Sequence, residues 1–201
     1  MSLLQESLKS SLDYPSYRQL IDDLLVEGKS TGPVQSEEIT AYSKMNVQRM
    51  KKWDKILQLD SELERLIQST DRRMIWLVIT EGWCGDAAQI IPALVKMANL
   101  SEHIEIRFVL RDEHPDLMDK YLTNSARAIP ILIALDAESN EETFVWGPRP
   151  APAQELLLQL KAEGKPYAEP LHKWYALNKQ ITIQEEFKTI FNSLMEGVET
   201  E

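Results

Sequence analysis

The sequence predicts an α/β fold: a mixed central sheet flanked by helices, with a helical extension before it and a helical tail after it. Three observations carry this expectation. The run Met74–Thr80 is rich in β-branched and aromatic side chains and is closed by Glu81-Gly82, so it reads as a strand covered on both faces. Just beyond it, Ile90, Ile91, Leu94, Val95 and Ala98 fall at helical spacing. Three more short apolar runs, Ile104–Leu110, Ile131–Leu135 and Thr143–Trp146, alternate with amphipathic stretches, the pattern of helices layered on a sheet.

Residues 1–70 read as two or three helices. After Pro15 the positions Tyr17, Leu20, Ile21, Leu24 and Leu25 form an amphipathic stripe, broken by the Gly28–Pro33 loop. Ser36 reads as an N-cap, with Glu37 and Glu38 in the first turn to complement the helix dipole. Ile39, Tyr42, Val47 or Met50, Trp53, Ile56 and Leu57 then share one side. Ser61-x-x-Glu64 reads as a capping box for a short helix ending near Gln68.

Beyond the central strand and helix, Ile104–Leu110 completes a βαβ unit. Asp112–Pro115 turns into a short helix expected over Asp116–Asn124. Ile131–Leu135 is a third strand. Thr143–Trp146 returns antiparallel to it after the polar turn Ala137–Glu142. A helix is expected over Pro152–Glu163 with Leu156, Leu157 and Leu160 inward, ended by Gly164-Lys165-Pro166. The tail carries Trp174, Leu177, Ile181, Phe187, Ile190, Phe191 and Leu194 in one or two helices. Its apolar face must bury on the core or on a partner, a second copy in a homodimer among them.

Composition narrows the function. Hydrophobic residues make up 43% and charged residues 27%, as in ordinary globular chains. A net charge of −10 argues against nucleic acid or an anionic membrane as partner. No apolar run approaches the ~20 residues of a membrane-spanning helix. The opening stretch lacks the apolar core of a signal peptide, and a single cysteine excludes an intramolecular disulfide, so the expected compartment is the cytoplasm. His103, His114 and His172 lack paired spacing with other ligands, so no metal site is expected.

Chemistry centres on Cys84, at the strand-to-helix junction, where free N–H groups and the positive end of a helix dipole favour a thiolate. Asp86 opposes this by like charge. It suits the helix dipole, and the functional reading makes it a proton acceptor for Cys84. Lys44, Arg49, Lys51, Lys52 and Lys55 read as a solvated helix face, and Arg127 as a surface salt bridge or a contact for an acidic ligand.

Trp83-Cys84-Gly85, Pro92 eight residues after the cysteine, and Arg127-Ala128-Ile129-Pro130 before an apolar run together resemble thioredoxin. The resemblance implies that Cys84 opens a helix kinked by Pro92, and that a cis-Pro130 faces the sulfur. Phe144–Gly147 and the helical run after it are similar to the family's last strand, glycine and final helix. The likeness covers Met74 to Gly164, implying an extension over 1–70, a core over 71–164 and a tail over 165–201. Three family features are replaced: the second cysteine by Ala87, the intervening proline by Asp86, and the buried acid by Val78. The chain is similar to a bacterial single-cysteine Trp-Cys-Gly-Asp-Ala branch.

Two functions follow from that resemblance. One is a monothiol redox protein, an oxidoreductase without the second cysteine. Cys84 reacts by thiol–disulfide exchange or sulfenic acid chemistry on a protein or small thiol/disulfide substrate, and an external thiol such as glutathione resolves it. No resident cofactor is expected. The other is a non-catalytic binding module using a groove formed by Trp83, Gly85, Ile129 and Pro130, with the Ile129 backbone as an edge for an extended peptide. A glutathione or iron–sulfur carrier is a third reading.

Overall fold

The computed structural model describes residues Ser2–Glu196. Four helices precede the sheet: α1 (Leu3–Lys9), α2 (Tyr14–Val26), α3 (Glu37–Ile56) and α4 (Ser61–Gln68). Strand β1 (Met74–Thr80) leads into α5 (Gly85–Ala98), β2 (Ile104–Leu110) and the single turn α6 (Pro115–Met118). A hairpin of β3 (Ile131–Asp136) and β4 (Glu142–Trp146) follows, and then α7 (Ala151–Ala162), α8 (Ala168–Asn178) and α9 (Ile181–Glu196).

The sheet order is β2-β1-β3-β4, with β1 parallel to β2 and antiparallel to β3, and β3 antiparallel to β4. The mixed sheet follows from connection lengths: a helix-bearing crossover joins the parallel pair, and a short turn joins the antiparallel one. Met74, Trp76, Leu77, Val78 and Ile79 are all buried, as are Ile131 to Leu135. Both central strands are therefore covered on both faces, which is why they read as unbroken apolar runs. The outer edge of β2 is covered too, because Leu12 and Phe108 exchange backbone hydrogen bonds of 2.8 Å.

Several elements differ from the sequence expectation. Helix α1 is a fourth N-terminal helix, and it carries the capping box: Ser2 Oγ accepts from the Gln5 N–H while Gln5 Oε1 accepts from the Ser2 N–H. Ser61 is not the cap of α4. Asp60 Oδ1 takes that role, accepting from the backbone of Glu62 and Leu63, and leaves Ser61 as the first helical residue. Ser36 does cap α3. Ile56 is 50% exposed, whereas Thr40, Ser43 and Asn46 are buried, so the inward stripe of α3 is more polar than expected. The helix expected over Asp116–Asn124 stops at Met118, and the rest of that stretch forms turns that end in a tight Thr123–Ala126 bridge with Asn124 and Ser125 left-handed.

The C-terminal helices pack on different parts of the core. The buried residues of α7, Ala153 and Leu157, pack with Leu171 of α8 in a cluster separate from the main core. It is α9 that inserts Phe187 and Phe191 against Trp76, at ring-centroid distances of 5.5 and 6.2 Å. Phe187 also meets Phe144 and Trp146 at 6.3 and 5.5 Å. Leu177 and Ile181 of the expected apolar stripe lie at the α8–α9 junction and are exposed.

Candidate functional site

The turn between β1 and α5 is held from the N-terminal helices. The Gly82 N–H donates to Thr31 Oγ1 (2.9 Å), and the Gly82 carbonyl accepts from Asn46 Nδ2 (3.0 Å). The Cys84 N–H then closes onto the Glu81 carbonyl at 3.1 Å. Cys84 is the N-cap of α5, where its sulfur accepts from the Ala87 N–H at 3.4 Å. Pro92 lies inside α5 and removes one of its backbone hydrogen bonds.

Across from the sulfur lies the loop before β3. The Ile129–Pro130 peptide is cis, and the Cys84 thiol donates to the Ile129 carbonyl at 3.3 Å. Gly147 backs this loop with a φ of 124°. A Cβ there would sit 2.4 Å from the Pro130 carbonyl oxygen, so only glycine lets the two backbones approach this closely. The next peptide, Gly147–Pro148, is cis as well, and Arg149 follows it at the edge of the site.

The thiol is not poised as the sequence suggested. Cys84 is only 7% exposed, and burial pushes its thiol up to about 12. The neighbouring Asp86 charge adds to this rise, while the Ala87 N–H and Arg149 oppose it. Desolvation of the charged form thus outweighs the helix terminus, and Cys84 rests as a hydrogen-bonded thiol rather than a thiolate. Asp86 is likewise engaged. Oδ2 pairs with Arg149 at 2.6 Å and Oδ1 accepts from the Tyr175 hydroxyl at 2.8 Å. Both oxygens therefore have partners, and Asp86 orders its surroundings more directly than it could take a proton from Cys84. The Tyr175 hydroxyl is held well above its usual range, first by burial and then by this carboxylate.

Helix α8 roofs the site. His172 shares a 3.0 Å hydrogen bond with the Tyr42 hydroxyl of α3, and a Cβ on Gly85 would lie 2.9 Å from His172 Cε1. Gly85 is therefore the residue that admits this roof. Burial, and then Arg49, lower the His172 pKa below its ordinary value. Trp83 stands half-buried at the rim under the Arg111 guanidinium, 4.6 Å from the ring centroid. What remains open is a pocket of about 410 Å³ with Cys84 in its wall. Of the site residues singled out in the sequence, Trp83, Cys84, Gly85, Asp86, Arg127 and Ile129 line it, and Pro130 is buried next to Ile129. The Ile129 carbonyl accepts from the Cys84 thiol, and the residue is buried.

Arg111, Arg149, Tyr42, His172 and Tyr175 escaped sequence reasoning. Arg149 had one signal, its place at the end of β4 beside the loop that carries Pro130. His172 and Tyr175 share a helix face by their i, i+3 spacing, but nothing in the sequence says where that face docks. Arg127 forms a bidentate pair with Asp119 at 2.6 and 2.7 Å, the salt-bridge alternative of the two expected for it. No group of three His, Cys, Asp or Glu side chains that could hold a metal lies among the described residues. None of the described helices is long and apolar enough to cross a membrane.

The comparisons with known proteins agree with this architecture. Among solved structures, a Pseudomonas aeruginosa protein of unknown function is similar at 18% identity and a TM-score of 0.62, covering 96% of this chain and 99% of its own. An HIV epitope scaffold is similar at 20% identity and a TM-score of 0.56, covering 90% and 99%. At those identities the likeness shows the fold alone. No functionally curated protein matches the sequence. Residues 32–165 match Thioredoxin_9, a family described as thioredoxin. That span runs from the loop holding Gly82, through Cys84 and the cis-proline loop, to the end of α7, and the chain belongs to the thioredoxin family.

Proposed function

We propose that this protein is a monothiol redox protein, of a single-cysteine Trp-Cys-Gly-Asp-Ala kind, in which Cys84 exchanges with a disulfide and an external thiol regenerates it. The observation that supports this is the position of the sulfur. It sits at the family's nucleophile position, in the wall of a pocket and opposite the Ile129–Pro130 loop, in a chain that has no second cysteine. In the first step Cys84 loses its proton and attacks one sulfur of R–S–S–R. A new S–S bond forms to Cys84, and R–S⁻ leaves to take up the proton. A second low-molecular-weight thiol then attacks the mixed disulfide, restoring Cys84 and releasing a disulfide. With a peroxide as oxidant the same sulfur passes through a sulfenic acid, which condenses with a thiol and releases water.

The raised thiol pKa favours a second reading, in which the pocket binds a ligand without covalent chemistry. One experiment separates them. The protein is incubated with an excess of a small disulfide and its intact mass is followed. An adduct that forms on the wild type, is absent from Cys84→Ser and is removed by added thiol supports the monothiol reading. Absence of any adduct after hours at pH 9 assigns the pocket to binding alone.

A further inference from the structure

We infer that the pocket beside Cys84 is built for a carboxylate-bearing low-molecular-weight disulfide or thiol rather than for an extended polypeptide. This deepens the monothiol reading and rests on it. The first support is closure. A peptide added as a strand needs a free backbone edge and an open groove. Here the Ile129 carbonyl is already engaged by the thiol, while Leu171 and His172 of α8 cover the turn from above. The 410 Å³ that remain suit a small ligand.

The second support is charge. In a chain of net charge −10, three arginines converge on this one cavity: Arg111, Arg127 and Arg149. Each is clamped by one carboxylate, at 2.8 Å to Asp112, 2.6 Å to Asp119 and 2.6 Å to Asp86. A guanidinium has five N–H donors in a planar fork, so one carboxylate fixes its orientation and leaves donors over. Arg149 shows this directly. Its Nη1 donates to Gln154 and its Nη2 pairs with Asp86, while its Nε is buried without a partner among the described residues. His172 Nδ1, also lining the pocket, is buried and unpartnered in the same way. A buried donor lacking an acceptor is rare in native structures, and the Arg149 Nε, on a residue that lines this cavity, points to a ligand that supplies acceptors. Glu38 and Asp86 are the acidic members of the lining, and both oxygens of Asp86 are already engaged.

The test uses the full chain with four disulfides, following adduct formation on Cys84 by intact mass at one pH. Oxidised glutathione carries carboxylates, 2-hydroxyethyl disulfide is neutral, cystamine is cationic, and insulin presents a protein disulfide. Each rate is divided by the rate of the same disulfide with a small reference thiol. The expected result is a preference for oxidised glutathione over cystamine of about tenfold or more, diminished by salt. Arg111→Gln should lower the glutathione rate more than the 2-hydroxyethyl disulfide rate, and insulin should be slowest. Equal or inverted charge preference, or insulin reacting as fast as oxidised glutathione, overturns the inference while leaving monothiol chemistry standing. If no disulfide reacts, the monothiol reading falls, and thermal shifts of Cys84→Ser decide the ligand class. A rise in Tm with oxidised glutathione but not cystamine supports the carboxylate site, and no rise with either overturns it.

Discussion

The reactivity of Cys84 toward iodoacetamide tests the buried-thiol description most directly, because the chain has no other cysteine to react. With the thiol pushed up to about 12, the thiolate fraction at pH 7 is about one part in 10⁵. A free cysteine with a pKa of about 8.5 is ionised to about three parts in a hundred at that pH. Native Cys84 should therefore alkylate about three-thousandfold more slowly than a free cysteine, before any protection by the α8 roof. Its rate should climb about tenfold per pH unit from 7 to 10 without levelling, whereas a free thiol levels near 9. Asp86→Asn removes the second-largest contribution to the shift and should raise the rate throughout, with the slope unchanged. The same burial has a stability signature. The folded pKa lies above the ordinary cysteine value, so the folded state holds its proton where the unfolded chain releases it. Stability conferred by Cys84 is then fully present below pH 9 and falls above it by about 1.4 kcal/mol per unit towards about 12. Denaturant unfolding of the wild type and Cys84→Ala across pH 8 to 10.5 isolates that slope. A rate plateau below pH 9, or parallel stability profiles for the two proteins, would falsify the account of a desolvated resting thiol.

Three further outcomes are expected. Phe187→Ala removes a fully buried ring that contacts Trp76, Phe144 and Trp146, and should cost about 3–5 kcal/mol in urea unfolding; a loss under about 1.5 would mean that α9 does not close the sheet. Glu81 is buried, and burial raises its carboxyl above the usual 4.5, so it destabilises the folded state once ionised. As pH falls from 7 to 4.5, the wild type should gain stability relative to Glu81→Gln, and a constant difference in Tm would contradict this. Ala87→Cys should close a reversible disulfide with Cys84, since the Ala87 N–H already lies 3.4 Å from the sulfur one helical turn away. Mass spectrometry would show the loss of two hydrogens under a mild oxidant, and two free thiols would rule that geometry out.

The sheet was legible because each central strand is covered on both faces, and such strands announce themselves as unbroken apolar runs. The Cys84 turn was legible for a similar reason, since a strand, a small-residue turn and a helix follow one another within twenty-five residues. The roof was not. Helices α7, α8 and α9 all carry apolar stripes, and only the shape of the assembled core decides that Phe187 and Phe191, rather than Leu157, meet Trp76. The thiolate expectation failed on the same ground. Helix-end N–H groups are visible in the local sequence, but the burial that overrides them belongs to the assembled fold, in which the sulfur faces Ile129, 45 positions on. Capping was half legible. Ser36 caps as read, whereas Asp60 displaces Ser61 because a carboxylate one residue earlier accepts two backbone N–H groups at once.

The hydrogen bond between Tyr42 and His172 joins residues 130 positions apart, one before Cys84 and one long after it. Synthesis is vectorial, at roughly 5–20 residues per second, so the cysteine and its cis-proline loop emerge before α8 is made. For an interval of roughly 5–20 s the nascent chain carries its one thiol without the helix that roofs the Cys84 turn. The turn that holds the thiol is therefore uncovered, and open to oxidants and electrophiles, until α8 docks on it. Docking of α8 on Gly85 and Tyr42 is the step that shuts this turn from above.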